Sequence, residues 1–258
     1  MKKLLSDFLE FIRFRICIFL VCIGITGYLL FNSEVMDLIF VIISSFLVTA
    51  GAYAYNNTTD SREDLANRKK INPFVMNKWG LFIVSLLFLS GIFFSFFLSP
   101  YSIFFCLLGV VVSITYSFFR LKEYFLVKNF YTGFGASIVF LLGAGNFSIN
   151  ILEYYLLFSL LAFIGSSISD LRDYEGDKLS NIKTVPVYLG YETGKRIDFV
   201  LLGIFSLSIL FFSNLVILLP FPLLIFYFLY KNKAKIAHSF LGSSFIFSAF
   251  WFLVLWAV

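Results

Sequence analysis

Charge is what this sequence has least of. Lys, Arg, Asp and Glu make up 14% of the 258 residues, while 60% are hydrophobic; soluble chains run near 25% charged. A soluble domain of this size cannot hide so much apolar surface, so the composition excludes one and requires a lipid environment. Histidine is nearly absent, with His238 alone, which argues against a zinc centre. Cys17, Cys22 and Cys106 all sit in apolar runs without a CxxC spacing. They read as small core hydrophobes and support neither a disulfide framework nor a thiolate metal site. No A-x-A-like cleavage pattern follows the basic start MKKLLSDFLEFIRFR, so the first apolar run is expected to be a retained transmembrane helix.

What is abundant is long apolar runs. A bilayer core of about 30 Å takes roughly 20 apolar residues per helix. On that ruler helices are expected near 16–31, 37–55, 79–98, 101–119, 129–147, 151–169, 198–212, 214–230 and 239–257. The expectation is an all-α bundle of nine transmembrane helices forming one domain over residues 1–258. Short turns separate several of them, at FNSEVMD, at Ser99-Pro100 and at NFSIN. The run 198–230 is long for one span and short for two; Ser213-Asn214, Pro220 and Pro222 interrupt it, and two spans are expected.

All 20 cations fall in five segments: the N-terminal arm, 56–78, 120–128, 170–197 and 231–235. By the positive-inside rule the N-terminus and the four long connections face the cytoplasm, in the cell membrane. Part of the net charge of +5 can attract anionic lipid headgroups. The basic residues are spread over membrane loops, so no nucleic-acid partner is expected.

Against this background the stretch NNTTDSRED, residues 56–64, follows directly on the second apolar run. If the helix continues past Tyr55, then Asn56, Asp60 and Asp64 fall at i, i+4 and i+8, within about 80° on one face. The stretch SDLRDYEGDK follows the sixth run and places Asp170, Asp173 and Asp177 within roughly 60° of each other if it too is helical. Hard oxygen ligands in this density suit Mg²⁺, which takes one or two carboxylates per ion together with phosphate oxygens and water. Acidic residues in a cytoplasmic loop are usually only solvated, but two ladders at the ends of two transmembrane helices are harder to explain that way.

Cations accompany both ladders. Arg62 and Arg68 flank the first, and Lys178 and Lys183 follow the second. Tyr116, Arg120, Lys122 and Lys128 close the fourth run, and Arg13 and Arg15 precede the first. Carboxylates with converging cations point to a polyphosphate, which metal and cations would bind and stabilise as it leaves. Lys2, Lys3, Lys231, Lys233 and Lys235 read as topological anchors, while Arg15 and Lys128 fit either role. The 37 Phe and 14 Tyr exceed what lipid contact needs. Aromatic walls could line a pocket for a long unsaturated tail and face a developing carbocation, although most of these residues fill the membrane core.

These residues resemble the UbiA superfamily of intramembrane prenyltransferases. NNTTDSRED fits every fixed position of its first signature, N-[DN]-x-x-D-x-x-x-D. DLRDYEGDKLSNIKTVPVYLG, residues 170–190, resembles the second, D-x-x-D-x-x-G-D followed by T-x-P-[VI], including Gly176, Thr184 and Pro186. YSFFRLK and Asn129 resemble the family's segment after the fourth helix. LEFIRFR is similar to its L-x-x-x-R-P opening, with Phe14 in place of Pro. The resemblance spans residues 9 to about 190. Asn57 stands where many members have Asp, and Arg120 where Lys is common.

The resemblance implies a nine-helix fold with its active site at the cytoplasmic rim. Two Mg²⁺ ions would bridge the diphosphate of an isoprenyl donor whose tail lies in the bundle. Ionisation would give an allylic cation, captured by a lipophilic acceptor in a site shielded from water. Asn56, Asn57, Asp60, Asp64, Asp170, Asp173 and Asp177 are the implied metal-site residues. Asp60, Asp64, Asp173 and Asp177, with Tyr116 and Lys122, are implied at the reacting centre. Arg13, Arg62, Arg68, Arg120, Lys178 and Lys183 are implied to bind the diphosphate. The second motif most resembles members that transfer geranylgeranyl to geranylgeranylglyceryl phosphate in archaeal ether-lipid synthesis. Similar strings occur in members that prenylate aromatic, quinone or chlorin acceptors, which is the alternative. A CDP-alcohol phosphotransferase would need D-G-x-x-A-R, and no Asp-Gly occurs. A cation-coupled transporter would place its carboxylates near the midplane, whereas these ladders lie at the expected rim.

Overall fold

The computed structural model describes residues 2–32, 34–61, 71–76, 79–121, 124–179 and 182–257, and among them there is no β-strand. A short helix, α1 (Lys2–Phe11), stops just before Arg13, whose φ of 49° is left-handed. Then follow α2 (Phe14–Phe31), α3 (Val35–Thr59), α4 (Trp79–Ser95) and α5 (Pro100–Phe118). Next, α6 (Val127–Phe130), a π-helical turn (Tyr131–Gly135) and α7 (Ala136–Ala144) run end to end. After α8 (Ile149–Arg172) come two short helices, α9 (Tyr174–Leu179) and α10 (Val185–Leu189). The chain ends with α11 (Tyr191–Ile209), a 3₁₀ turn (Ser213–Leu218), α12 (Pro220–Tyr230) and α13 (Ala234–Ala257).

The turn signals of the sequence act as helix starts. Ser99 Oγ accepts the Ser102 N–H at 3.1 Å, with Pro100 in the first turn. Ser148 Oγ accepts the Ile151 N–H at 3.3 Å. Both satisfy N–H groups that a helix leaves open at its first turn.

Among the described residues six helices are long and apolar enough to cross a membrane: Phe14–Phe31, Met36–Thr59, Pro100–Phe118, Ile149–Arg172, Ser213–Tyr230 and Ala234–Ala257. Trp79–Ser95 is a shorter apolar helix. The protein is a multi-pass membrane protein. The run expected at 129–147 is divided by the π turn, so neither of its α-helical pieces reaches spanning length. The helix expected at 198–212 begins at Tyr191, in the polar sequence YETGKRID, which dilutes its apolar character. The break expected inside 198–230 falls after Ile209, where the 3₁₀ turn separates α11 from α12.

The chain divides into two compact units, Met1–Leu121 with Ile138–Phe147, and Lys122–Ser137 with Ser148–Val258. In the first, α7 crosses α2 at bare backbone. A Cβ at Gly143 would collide with the carbonyl of Gly24, so only glycine permits the approach. Asn32 Nδ2 donates to the Ala144 carbonyl at 3.0 Å at the same crossing. Phe93 and Phe96 at the end of α4, and Phe104 on α5, are exposed, as a surface facing acyl chains permits. In the second unit α8 is the central element, with Leu161, Ile164 and Ile168 all 2% exposed or less. A Cβ at Gly133 in the π turn would sit 2.9 Å from the Ser159 carbonyl of α8.

Candidate active site

The first ladder lies in the first unit. Helix α3 does continue past Tyr55, as far as Thr59, and Asp60 caps its C-terminus with its N–H on the Asn56 carbonyl at 3.0 Å. Asn56 Nδ2 donates to Asp60 Oδ2 at 2.9 Å, and Ser117 Oγ at the end of α5 donates to Asn56 Oδ1 at 3.4 Å. Open carbonyls give a helix C-terminus negative partial charge, so the amide and carboxylate sit where a cation is favoured.

Asn57 points to the start of the chain. Its Nδ2 donates to the Phe11 carbonyl at 2.6 Å, and its Oδ1 accepts from Arg13 Nη2 at 3.1 Å. Both ends of this amide are therefore engaged. The Arg13 guanidinium also lies 5.6 Å from the ring centre of Tyr53, within cation–π range. Arg13 and Arg120 hold left-handed φ values of 49° and 51°. Such conformations cost energy in non-glycine residues and concentrate at functional sites. Tyr116 is half-buried in the last turn of α5, and Arg120 is exposed just beyond it. Arg62, Asp64, Arg68 and Lys122 lie outside the described residues.

The second ladder lies in the second unit, where the expectation of one continuous helical face is corrected. Helix α8 ends at Arg172, Asp173 is its C-cap with ψ of 7°, and α9 starts at Tyr174. Bonds from the Asp173 N–H to Ser169 O and from the Asp177 N–H to Asp173 O, both 3.0 Å, carry the chain across the break. The three aspartates thereby enter three different environments.

Asp170 is fully buried, and each of its oxygens has a partner. Lys128 Nζ lies 2.5 Å from its Oδ1, and Asn129 Nδ2 donates to its Oδ2 at 3.0 Å and is 3.2 Å from Ser166 Oγ. Asp173 accepts two bonds from Arg172, at 2.8 Å from Nε and 2.6 Å from Nη2. Burial works to raise its pKa, but the Arg172 guanidinium, with Lys128 and His238, outweighs burial and holds it below the usual carboxylate range. Asp177 is half-buried, and its Oδ2 meets no hydrogen-bond partner among the described residues. Burial raises its pKa, and Asp170 and Asp173 add to that against Lys128 and Thr184. Lys178 is exposed, with Nζ 5.8 Å from the Tyr174 ring centre, and Lys183 is exposed.

Two features escaped the sequence reading. Ser166 shares the Asn129 amide with Asp170. Asp198 on α11 is fully buried, and Ser167 and Asp170 are the polar groups that act on it. An acid inside the run RIDFVLL was the signal available for Asp198, since an ionisable group in an apolar span is expensive.

Among the described residues no group of three or more His, Cys, Asp or Glu side chains could hold a metal ion. An all-protein cage is therefore not what these residues build. Hard donors in ones and twos, including the orphaned Asp177 Oδ2, instead fit Mg²⁺ that arrives with phosphate oxygens and water.

Aspartates stand at the C-terminal ends of two long helices, one in each unit, of an all-helical multi-pass membrane protein. The UbiA prenyltransferase family model matches residues 16–254, and the chain belongs to that family. It is a prenyltransferase. It is 30% identical over 200 residues to a digeranylgeranylglyceryl phosphate synthase of Methanocaldococcus jannaschii, covering 74% of this chain and 69% of that one. It is 27% identical over 209 residues to the synthase of the same name from Saccharolobus solfataricus, covering 77% and 74%. The fold is similar to that of a UbiA homologue from Archaeoglobus fulgidus bound to DMAPP and Mg²⁺, with a TM-score of 0.77, 13% identity and coverage of 98% and 99%.

Proposed function

We propose that this prenyltransferase is Mg²⁺-dependent and transfers geranylgeranyl from its diphosphate to geranylgeranylglyceryl phosphate, in ether-lipid synthesis at the cytoplasmic side of the cell membrane. The observation that carries the metal–diphosphate half is the buried, orphaned Asp177 Oδ2 beside Asp173. The likeness to two digeranylgeranylglyceryl phosphate synthases supports the acceptor.

Asn56 with Asp60, and Asp173 with Asp177, hold the metal-bound diphosphate; Asp64 joins them on the motif. Bound Mg²⁺ supplies charge neutralisation to the leaving diphosphate. Arg13 and Arg120, set by left-handed backbone, bind phosphate oxygens, as do Lys178 and Lys183; Arg62, Arg68, Lys122 and Tyr116 join them on the motif. The C1–O bond of the donor breaks, and its electron pair leaves with the diphosphate. The acceptor hydroxyl oxygen then bonds to C1 and passes its proton to the released diphosphate. Apolar surroundings keep water from the cation.

The test supplies purified protein with Mg²⁺, geranylgeranyl diphosphate and a panel of acceptors, and identifies products by mass. A phosphoglycerol diether is expected. A prenylated aromatic, quinone or chlorin would move the acceptor to that class. Donor binding indifferent to Mg²⁺ would overturn the metal-dependent reading.

A further inference from the structure

Among the described residues Lys128, like Arg172, is a cation whose charge reaches all three aspartates of the second ladder, but Lys128 is the one paired with the buried Asp170. Its Nζ lies 2.5 Å from Asp170 Oδ1, and it also acts on Asp173 and Asp177. The backbone around it is unusual. Leu126, two residues before, has φ of 62°, which a branched side chain rarely adopts, and a π-helical turn begins three residues after. Isolated π turns and left-handed non-glycine residues both mark sites where position matters more than local stability. Asn129, only 2% exposed, fixes the segment to α8 through Ser166 and Asp170. Lys128 itself is 27% exposed. Of the three donors of its ammonium group, Asp170 engages one among the described residues.

Asp170 differs from its neighbours in the opposite sense. It is 0% exposed, with one oxygen on Lys128 and the other on Asn129. Each Asp170 oxygen already has a partner, whereas Asp177 Oδ2 has none among the described residues. We propose that Lys128 is a direct diphosphate-binding residue of the second aspartate group, and that Asp170 is its positioning residue and not a metal ligand. This rests on the prenyl diphosphate reading above. The ammonium balances the carboxylates until the diphosphate arrives, then turns its free donors onto phosphate oxygens.

The test is equilibrium binding of labelled geranylgeranyl diphosphate, titrated against Mg²⁺, for the wild type, Lys128→Met, Lys128→Arg, Asp170→Asn and Asp177→Asn, each checked by melting temperature. Lys128→Met keeps the apolar stem and is expected to weaken binding about 10-fold or more at saturating Mg²⁺, the scale of one lost charge-assisted bond. Lys128→Arg restores most of that loss. Asp170→Asn is expected to weaken binding several-fold while leaving the Mg²⁺ midpoint in place, and Asp177→Asn to move that midpoint to higher Mg²⁺. Unchanged binding in Lys128→Met overturns the proposal. So does an Mg²⁺ midpoint in Asp170→Asn that shifts as far as in Asp177→Asn. A wild type that binds no prenyl diphosphate defeats the underlying reading instead.

Discussion

In the first unit the described donors around the ladder are mostly amides: Asn56 is hydrogen-bonded to Asp60, and Asn57 spans Arg13 and the Phe11 carbonyl. In the second unit they are carboxylates, each with a different counterpart: Lys128 for Asp170, Arg172 for Asp173, and no bond at all for Asp177 Oδ2. Both groups use the carbonyl-rich end of a long helix, so both sit in a field that favours cations. They differ in how the protein tolerates them without a ligand. Amides carry no net charge and need only hydrogen bonds. Clustered carboxylates need resident cations, and the second unit supplies Lys128 and Arg172 from two different helices. A ligand ladder read as letters is therefore not one kind of object. The same i, i+4 spacing gives a quiet, hydrogen-bonded pair in one place and an electrostatically loaded cluster in the other.

The hardest way to break the comparison is to remove one carboxylate from each group. Asp60→Ala with Asp177→Ala is expected to abolish transfer, by at least about 10³-fold, the scale of losing a preorganised electrostatic partner. Each single change is expected to cost nearly as much, because groups that act on one leaving diphosphate are not additive. Product formation by mass, with helicity checked separately, measures it. A single change that leaves rates within a few-fold of wild type would show that only the other group serves the reaction.

A smaller effect separates the structural amides. Asn129→Ala removes the buried donor shared by Ser166 and Asp170 and leaves an Asp170 oxygen without its partner, which costs about 1–3 kcal/mol. Asn57→Asp loses only the donor to the Phe11 carbonyl and gains an ion pair with Arg13, so its cost is expected near about 1 kcal/mol. Transfer is expected to be retained. Thermal melts of both variants, with transfer assayed in parallel, rank them. Equal losses would mean that the two groups are braced alike.

The sequence showed the helices, the turns that start them and both ladders, because those depend on periodicity and on local residue chemistry. Ser99-Pro100 and Ser148 became caps for the reasons the letters imply. What it could not show was where helices break. Asp173 interrupts α8, and nothing in SDLRDYEGDK requires that; at the break the Arg172 side chain folds back onto its neighbour Asp173. Nor could spacing tell that both Asp170 oxygens are partnered while Asp177 Oδ2 is not among the described residues, since the partners are Lys128 and Asn129, some forty positions away in the chain. Lys128 fitted either an anchor or a site in the sequence, and only its distance to Asp170 distinguishes the two.

The finest test stays within one turn of chain. Asp173 and Asp177 are four positions apart, yet their pKa values move in opposite directions. For Asp173 the folded pKa is lowered, so its charged form supports the fold above the ordinary carboxylate range, and that support is lost as pH falls through the folded pKa. For Asp177 the folded pKa is raised, so its contribution is complete below the ordinary range and is lost as pH rises through the folded value. With metal chelated, Asp177→Asn is therefore expected to melt slightly higher than wild type near neutral pH, and Asp173→Asn lower. The sign follows from linkage between protonation and folding. Both differences should shrink towards zero as the pH falls to about 4 and below, where ordinary carboxylates protonate. On the proposed metal role of Asp177, added Mg²⁺ with diphosphate should reverse the Asp177→Asn advantage. Melts of the two variants that move together, in either direction, would show that one shared environment governs both residues and that the break at Asp173 has no electrostatic consequence.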